Sequence, residues 1–255
     1  MSSTVAVIVP SYNDAEMLER CLAALAAQTR QPDEIIVVDN GSTDNTVEVA
    51  LAAGARIVTE LRRGIPQATS AGLDAARSDI LCRLDADSVP PPSWVEQVVT
   101  AFESEPDLEA LSGPGDYYGG NAVKHFIGEK VMIGLYSTLV TWALGHDVLF
   151  GSNFALRSTA WQYLRTRVHR DLAWVHDDFD MTINLPPGMG VRFDPSLVVG
   201  VSARPFDEFS RFWRWVTMAL DTIVINHREQ SLLERRREWV QATRPQAPRL
   251  RFARR

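Results

Sequence analysis

The residues Asp85-Ala86-Asp87 follow directly on an apolar run, Ile80-Leu81-Cys82-Arg83-Leu84, and put two carboxylates two positions apart. In an extended chain alternate side chains point the same way, so both carboxylates would share one side with the small Ala86 between them. Such a pair suits a hard divalent cation, Mg2+ or Mn2+, which takes oxygen ligands and commonly completes its shell with substrate phosphates. Solvated loops produce Asp-x-Asp often, but the end of a buried strand gives it more weight. Two other apolar runs end in similar polar groups, Pro10-Ser11-Tyr12-Asn13 and Asp39-Asn40-Gly41-Ser42-Thr43-Asp44. Taken singly these are turn formers, and Asp44 is a ready helix cap. Their joint placement is what points to a ligand site.

The elements that would position these groups alternate regularly over the first hundred residues. Strand patterns at 5–10, 34–39, 56–60 and 79–84 are separated by helical patterns at 14–28, about 44–53 and 64–77. Ser42 or Asp44 would cap the second helix, and Gly54 would stop it. Strands this apolar on both faces suit a parallel sheet with helices on each side, and ligands in such sheets sit at the carboxyl ends of the strands. After Pro90-Pro91-Pro92 a helix fits 93–103, and a Gly-rich segment over 113–120 ends the alternation. Beyond it the pattern predicts a helix at 123–145, a strand at 149–156 and a short helix over 177–185. An extended stretch at 191–201 and one long amphipathic helix from 207 to about 237 complete the expectation. No linker separates two independent domains.

A chain of 255 residues with 45% hydrophobic and 23% charged composition can bury a substantial core and lies far from disordered chains. Its net charge of −6 argues against nucleic acid as a partner. The charge is uneven, because residues 228–255 hold nine arginines against three glutamates. That segment reads as a solvated helix end with a flexible basic tail, or as an attraction to anionic lipid. Cys21 and Cys82 sit among apolar neighbours as buried thiols, which favours a reducing, cytoplasmic setting. The N-terminus reads as a first strand rather than a signal peptide. The longest uncharged stretch, 131–145, falls short of the roughly 20 residues that span a bilayer. It reads as a core helix or as one lying on a membrane, with Tyr136 and Trp142 suited to the interface.

Together, the segments 7–13, 36–44 and 63–64, the Ala71-Gly72-Leu73-Asp74 helix and Leu84-Asp85-Ala86-Asp87 resemble the family 2 glycosyltransferases of GT-A fold. The likeness is close over about 5–90. It continues more loosely through Gly151-Ser152-Asn153 and the acidic His176-Asp177-Asp178-Phe179-Asp180, and fades beyond about 205. The resemblance implies an α/β, Rossmann-like, mostly parallel sheet flanked by helices, with a C-terminal acceptor-side helical region. It divides one GT-A domain into a donor half (1–112) and an acceptor and base half (113–240), followed by a basic tail (241–255).

By the same resemblance, Pro10, Tyr12, Asn13, Asp39 and Asn40 line a nucleotide pocket, and Arg63 and Gly64 lie near the diphosphate and sugar of the donor. Asp85 and Ala86 lie towards the ribose, and Asp85 and Asp87 hold the metal, Asp87 more directly. His176 is a guess for a third ligand. Asp178 matches the general base and Asp177 its acidic neighbour, although a capped helix start explains the same residues structurally. Asp180 reads as solvent-facing or structural. The implied activity is inverting transfer of a sugar from a nucleoside-diphosphate sugar, UDP by family habit, to a saccharide or lipid-linked acceptor. Arg211-Phe212-Trp213-Arg214-Trp215 resembles the Gln-x-x-Arg-Trp element of processive members with Arg in place of Gln, which favours single transfer. The alternative is a silent GT-A nucleotide-binding scaffold in cell-envelope or polysaccharide assembly. A nucleotidyltransferase would need a Gly-rich basic loop where Ser11-Tyr12-Asn13-Asp14 stands.

Overall fold

A computed structural model describes residues 2–120, 134, 136–204 and 209–243. The first four strands form as the apolar runs predict: β1 (Val5–Ser11), β2 (Glu34–Asp39), β3 (Arg56–Thr59) and β4 (Ile80–Arg83). Between them lie α1 (Ala15–Ala26), α2 (Thr46–Ala52) and α3 (Ile65–Ala75). Then come α4 (Trp94–Ser104), β5 (Leu108–Ser112), β6 (Gly115–Tyr118), α5 (Tyr136–Leu144), β7 (Phe154–Arg157) and α6 (Ser158–Leu164). The chain continues through α7 (Asp177–Asn184), β8 (Gly190–Phe193), β9 (Val199–Ser202), α8 (Phe209–Glu229) and α9 (Leu232–Ala242).

Seven strands form the main sheet in the order β3-β2-β1-β4-β7-β5-β8, parallel except for β7, which runs antiparallel to both β4 and β5. Alternation along β1 divides the core. Val5, Val7 and Val9 pack with Leu18, Leu22, Trp94 and Phe102 on one face, and Ala6 and Ile8 pack with Leu73, Trp161 and Leu164 on the other. Helix α3 approaches the sheet so closely that a Cβ on Gly72 would overlap Ile8 and Val38. From β1 the chain winds outward to β2 and β3, then returns past β1 to lay down β4. The order therefore reverses between β1 and β4, and this switch point is where an open α/β sheet leaves a crevice at its strand ends. Ser11–Asn13 and Asp85–Asp87 both emerge there.

The second half departs from the sequence pattern in five places. The Gly-rich stretch contains β6, which pairs in parallel with β9 in a separate two-stranded sheet. Short strand β5 and helix α6 were not legible. The strand expected at 149–156 is confined to 154–157, because Asn153 turns the chain: its N–H donates to the Phe150 carbonyl and its side chain ties Trp94 to Leu197. The stretch 191–201 is two strands in different sheets, separated by a turn around Asp194. The long C-terminal helix breaks at Ser231, whose hydroxyl caps α9 in a reciprocal box with Glu234. Of the helices expected at 123–145 and 207–237, residues 121–133, 135 and 205–208 lie outside the described residues.

Candidate active site

At the ends of β1 and β2, side chains fasten one loop to the next. Asn13 takes a left-handed backbone (φ 47°), its Oδ1 accepts from the Thr43 N–H (2.7 Å), and its own N–H donates to Ser42 Oγ (3.1 Å). Asp39 is buried and accepts from the Ser42 N–H (2.9 Å). Asn40, expected at the nucleotide, instead spends its side chain on the protein. Its Nδ2 donates to the Glu60 and Arg62 carbonyls (2.7 and 2.9 Å), and its Oδ1 accepts from the Gly64 N–H (2.9 Å). It is the tie that brings the 60–64 segment to the pocket wall. Arg63 then donates to the Asn40 carbonyl (2.7 Å) and lies 3.0 Å over the half-exposed Tyr12 ring. Gly64 has a φ of 150° that a side chain rarely adopts, and a Cβ there would collide with Gln67. Pro10, within β1, is partly buried.

Strand β4 ends at Arg83, so Asp85-Ala86-Asp87 lies in a turn and not on an extended strand as expected. The Ser88 N–H donates to the Asp85 carbonyl (3.0 Å) and the Asp85 N–H to Ser88 Oγ (3.1 Å), which closes the turn before alternation can align the carboxylates. Ala86 is buried beneath it. The two carboxylates remain close enough to repel. Burial, with Asp85 second, pushes the Asp87 carboxyl up to about 6 against the pull of Arg204. Asp85 Oδ1 pairs with Arg83 (2.8 Å) and its Oδ2 accepts from Ser152 Oγ. Asp87 Oδ2 pairs with Arg204 (3.2 Å), whose guanidinium also grips both oxygens of Asp14 (2.8 and 2.6 Å).

Arg83 is the link to the second acidic group. Its side chain is 3% exposed, and while Nη1 holds Asp85, Nη2 lies 3.5 Å from Asp177 Oδ2. Asp177, also buried, accepts from Thr69 Oγ1 of α3 (2.7 Å). Asp178 begins α7 beside it, with a side chain about one-fifth exposed. Its Oδ2 accepts from the Gly151 N–H and its Oδ1 from the Phe179 N–H (2.8 and 2.7 Å). Burial first, and repulsion from Asp177 second, raise the Asp178 carboxyl above the ordinary carboxylate range, against the pull of His176 and Arg83. Gly151 is required at this crossing, because a Cβ there would come 2.8 Å from Arg83 Nη1 and 2.9 Å from Asp178 Oδ2.

His176 faces Asp178 (3.9 Å), and its Nε2 meets the Trp215 carbonyl (3.1 Å). Among the described residues no group of three His, Cys, Asp or Glu could hold a metal ion. A divalent cation here would therefore rest on the oxygens of Asp85 and Asp87 with substrate oxygens, a donor set that Mg2+ and Mn2+ accept. Asp180 is structural and not solvent-facing: it is 1% exposed and bonded to His169 and Asn226. Sequence reasoning missed Arg83, Arg204, Asp14, Ser152 and Thr69. One signal was available, since Arg83 stands two positions before Asp85 in an otherwise apolar strand.

An open, mostly parallel sheet whose switch point collects turn carboxylates, closed by an antiparallel β7 and a second small sheet, is a GT-A architecture. The chain belongs to glycosyl transferase family 2, whose sequence profile matches residues 6–164. It is 35% identical over 133 residues to glycosyltransferase AglE of Haloferax volcanii, covering 48% of this chain and 41% of that protein. It is 36% identical over 115 residues to the undecaprenyl-phosphate 4-deoxy-4-formamido-L-arabinose transferase of Serratia proteamaculans, covering 41% and 35%. The chain thus spans well under half the length of these curated relatives. In fold it is similar to glucosyl-3-phosphoglycerate synthase from Mycobacterium tuberculosis in complex with Mn2+, UDP and phosphoglyceric acid. That similarity has a TM-score of 0.60 at 24% identity, over 88% of this chain and 78% of that one.

Replacing Arg83 by Met keeps the volume but leaves Asp85, Asp177 and Asp178 without their shared buried cation. Urea unfolding should register a loss of about 3–5 kcal/mol, the cost of stranding buried charge. A variant as stable as the wild type would mean that Arg83 does not hold the carboxylates together.

Proposed function

We propose that this chain moves a sugar from a nucleoside-diphosphate sugar, with UDP the favoured nucleotide, to an acceptor hydroxyl with inversion and in single transfers. The observation that carries the reading is the bridge from Asp85 through buried Arg83 to Asp177, the chain neighbour of Asp178, which joins the acidic turn at the switch point to the first turn of α7. A general base together with a metal-suited carboxylate pair is what an inverting, metal-assisted transfer from a nucleotide sugar uses. Tyr12, Asn13, Asp39 and the Arg63-Gly64 segment would frame the nucleotide, with Pro10, Asn40 and Ala86 shaping that wall from behind. Asp85 and Asp87 would hold Mg2+ or Mn2+, which supplies charge neutralisation for the departing diphosphate. Mn2+ and UDP in the solved complex of the mycobacterial synthase agree with this choice. Residues 1–112 would then form the donor half, 113–240 the acceptor half and 241–255 the basic tail.

Asp178 takes the proton from the acceptor hydroxyl. The Gly151 and Phe179 N–H groups fix its carboxylate, and burial makes it a better base than a free aspartate. Asp177, whose Oδ2 accepts from Thr69 and faces Arg83, ties the start of α7 to α3 and β4.

The acceptor is a saccharide or a lipid-linked one, and a surface feature favours the second. Leu139 and Trp142 of α5 are exposed, Trp142 to 70%, and the Arg236 guanidinium lies 5.4 Å from the Trp142 ring beside exposed Leu233. The opposite face of α5, Val140 and Leu144, packs with Phe179, the residue after the base. No described helix is long and apolar enough to cross a membrane. Peripheral contact with an anionic bilayer at the cytoplasmic face would bring a lipid-linked acceptor to α7, in keeping with the undecaprenyl-phosphate relative.

Calorimetry with UDP, GDP and TDP, each with Mn2+ and again with EDTA, should show metal-dependent binding of one nucleotide, lost in Asp87→Ala; absence of binding to all three would remove the donor site. Asp178→Asn should bind donor normally yet lose about 10²–10⁴ in kcat, the usual yield of a general base. The wild-type kcat should fall as pH drops through a value above the ordinary carboxylate pKa of about 4. Donor binding without transfer by the wild type would leave a nucleotide-binding scaffold. In flotation, the protein should follow vesicles containing phosphatidylglycerol and not neutral ones, and Trp142→Ser should weaken that binding; indifference to lipid charge would return the acceptor to free saccharides.

A further inference from the structure

Arg204 brings a fixed positive charge to the carboxylate expected to receive a metal ion, and the fold invests heavily in placing it. Strand β9 is bolted to the acidic turn at two points. Val89, two residues past Asp87, exchanges backbone hydrogen bonds with Gly200 (2.7 and 3.0 Å). Tyr118 of the partner strand β6 donates its hydroxyl to the Asp87 carbonyl (2.7 Å), while its own carbonyl accepts from the Ala203 N–H (3.0 Å). Arg204 is the next residue, so its distance from Asp87 is set by backbone pairing and not by a free loop.

At the other end of the clasp, the first N–H of α1, that of Ala15, is served by Asp44 Oδ2 (3.3 Å) and not by Asp14. Asp14 occupies the N-cap position of α1, where an Asp carboxylate ordinarily accepts from the first turn, yet it makes no such bond. Both its oxygens go to Arg204 (2.8 and 2.6 Å). The oxygens of the acidic turn are consequently nearly all in use. Asp85 gives one to Arg83 and one to Ser152, and Asp87 gives Oδ2 to Arg204, leaving Asp87 Oδ1 as the only oxygen of the pair without a partner among the described residues.

We propose that Arg204 is a resident counter-ion that competes with divalent metal for Asp87 and sets the metal affinity of the donor site. In the nucleotide-free protein the guanidinium neutralises Asp87 and occupies one of its oxygens, so metal alone binds weakly. The oxygens of a diphosphate are then needed to make a divalent cation the stronger partner. Arg204 is a positioning residue in this scheme, acting through Asp87. The inference rests on Asp85 and Asp87 being the metal pair, but its direct readout needs neither a sugar nor an acceptor.

The test is a Mn2+ titration followed by electron paramagnetic resonance, on nucleotide-free wild type, Arg204→Gln and Arg204→Lys, with near-ultraviolet circular dichroism confirming the fold of each. Arg204→Gln should bind Mn2+ about tenfold or more tighter than wild type, equivalent to about 1.4 kcal/mol. Arg204→Lys, which keeps the charge, should stay near wild type, and adding Asp87→Ala to Arg204→Gln should abolish the gain. Damage to the site would weaken Mn2+ binding, so the predicted sign separates competition from a merely structural role. Folded Arg204→Gln binding Mn2+ no tighter than wild type overturns the proposal. Loss of the glycosyltransferase reading itself would show differently, as absence of nucleotide binding and transfer with the Mn2+ difference intact.

Discussion

A guanidinium 3% exposed within a seven-stranded sheet is the constraint around which this site is built. An unpaired buried charge costs several kcal/mol, so Arg83 can persist in β4 only with carboxylates on hand. The chain supplies them from two directions. Asp85 comes from the turn that follows the strand, and Asp177 comes from the start of α7 nearly a hundred residues on. Satisfying one buried cation therefore forces the acidic turn and the start of α7 together. The antiparallel strand β7 fills the space between β4 and β5, and the loop leading into it delivers Ser152 to Asp85 and the Gly151 N–H to Asp178. Glycine at 151 is the steric condition for that loop to pass between Arg83 and Asp178.

The first half of the chain was legible because its signals are local. Apolar runs ending on turn residues, at periods that only strands and helices satisfy, define β1 to β4 and place Ser11–Asn13 and Asp85–Asp87 at one edge. The second half was less legible because its organisation is set by distant partners. Strand β6 exists only because β9 pairs with it, and the break at Ser231 turns on a reciprocal cap that a continuous amphipathic pattern conceals. The same distinction holds among site residues. The candidate Asp87 stands out by type and spacing and the candidate Asp178 by the family resemblance, whereas the side chain of Asn40 spends its polar atoms on Glu60, Arg62 and Gly64. Arg204 has no local signature at all, since its meaning comes from Asp14 and Asp87, both more than a hundred residues away.

The charge balance at the cleft ties these features to function. Asp14, Asp85, Asp87, Asp177 and Asp178 face two arginines, Arg83 and Arg204, and the His176 ring among the described residues, an acidic excess in a partly dehydrated space. Burial first, and repulsion from a neighbouring carboxylate second, shift Asp87 and Asp178 towards their protonated forms. A diphosphate entering that field alone meets like charge at short range, where repulsion is weakly screened. Added positive charge relieves both repulsions at once, between carboxylates and between carboxylate and phosphate. Under the proposed function, nucleotide and divalent cation would therefore enter such a crevice together. The two arginines offset part of the acidic excess: Arg83 pairs with Asp85 and Asp177, and Arg204 with Asp14 and Asp87.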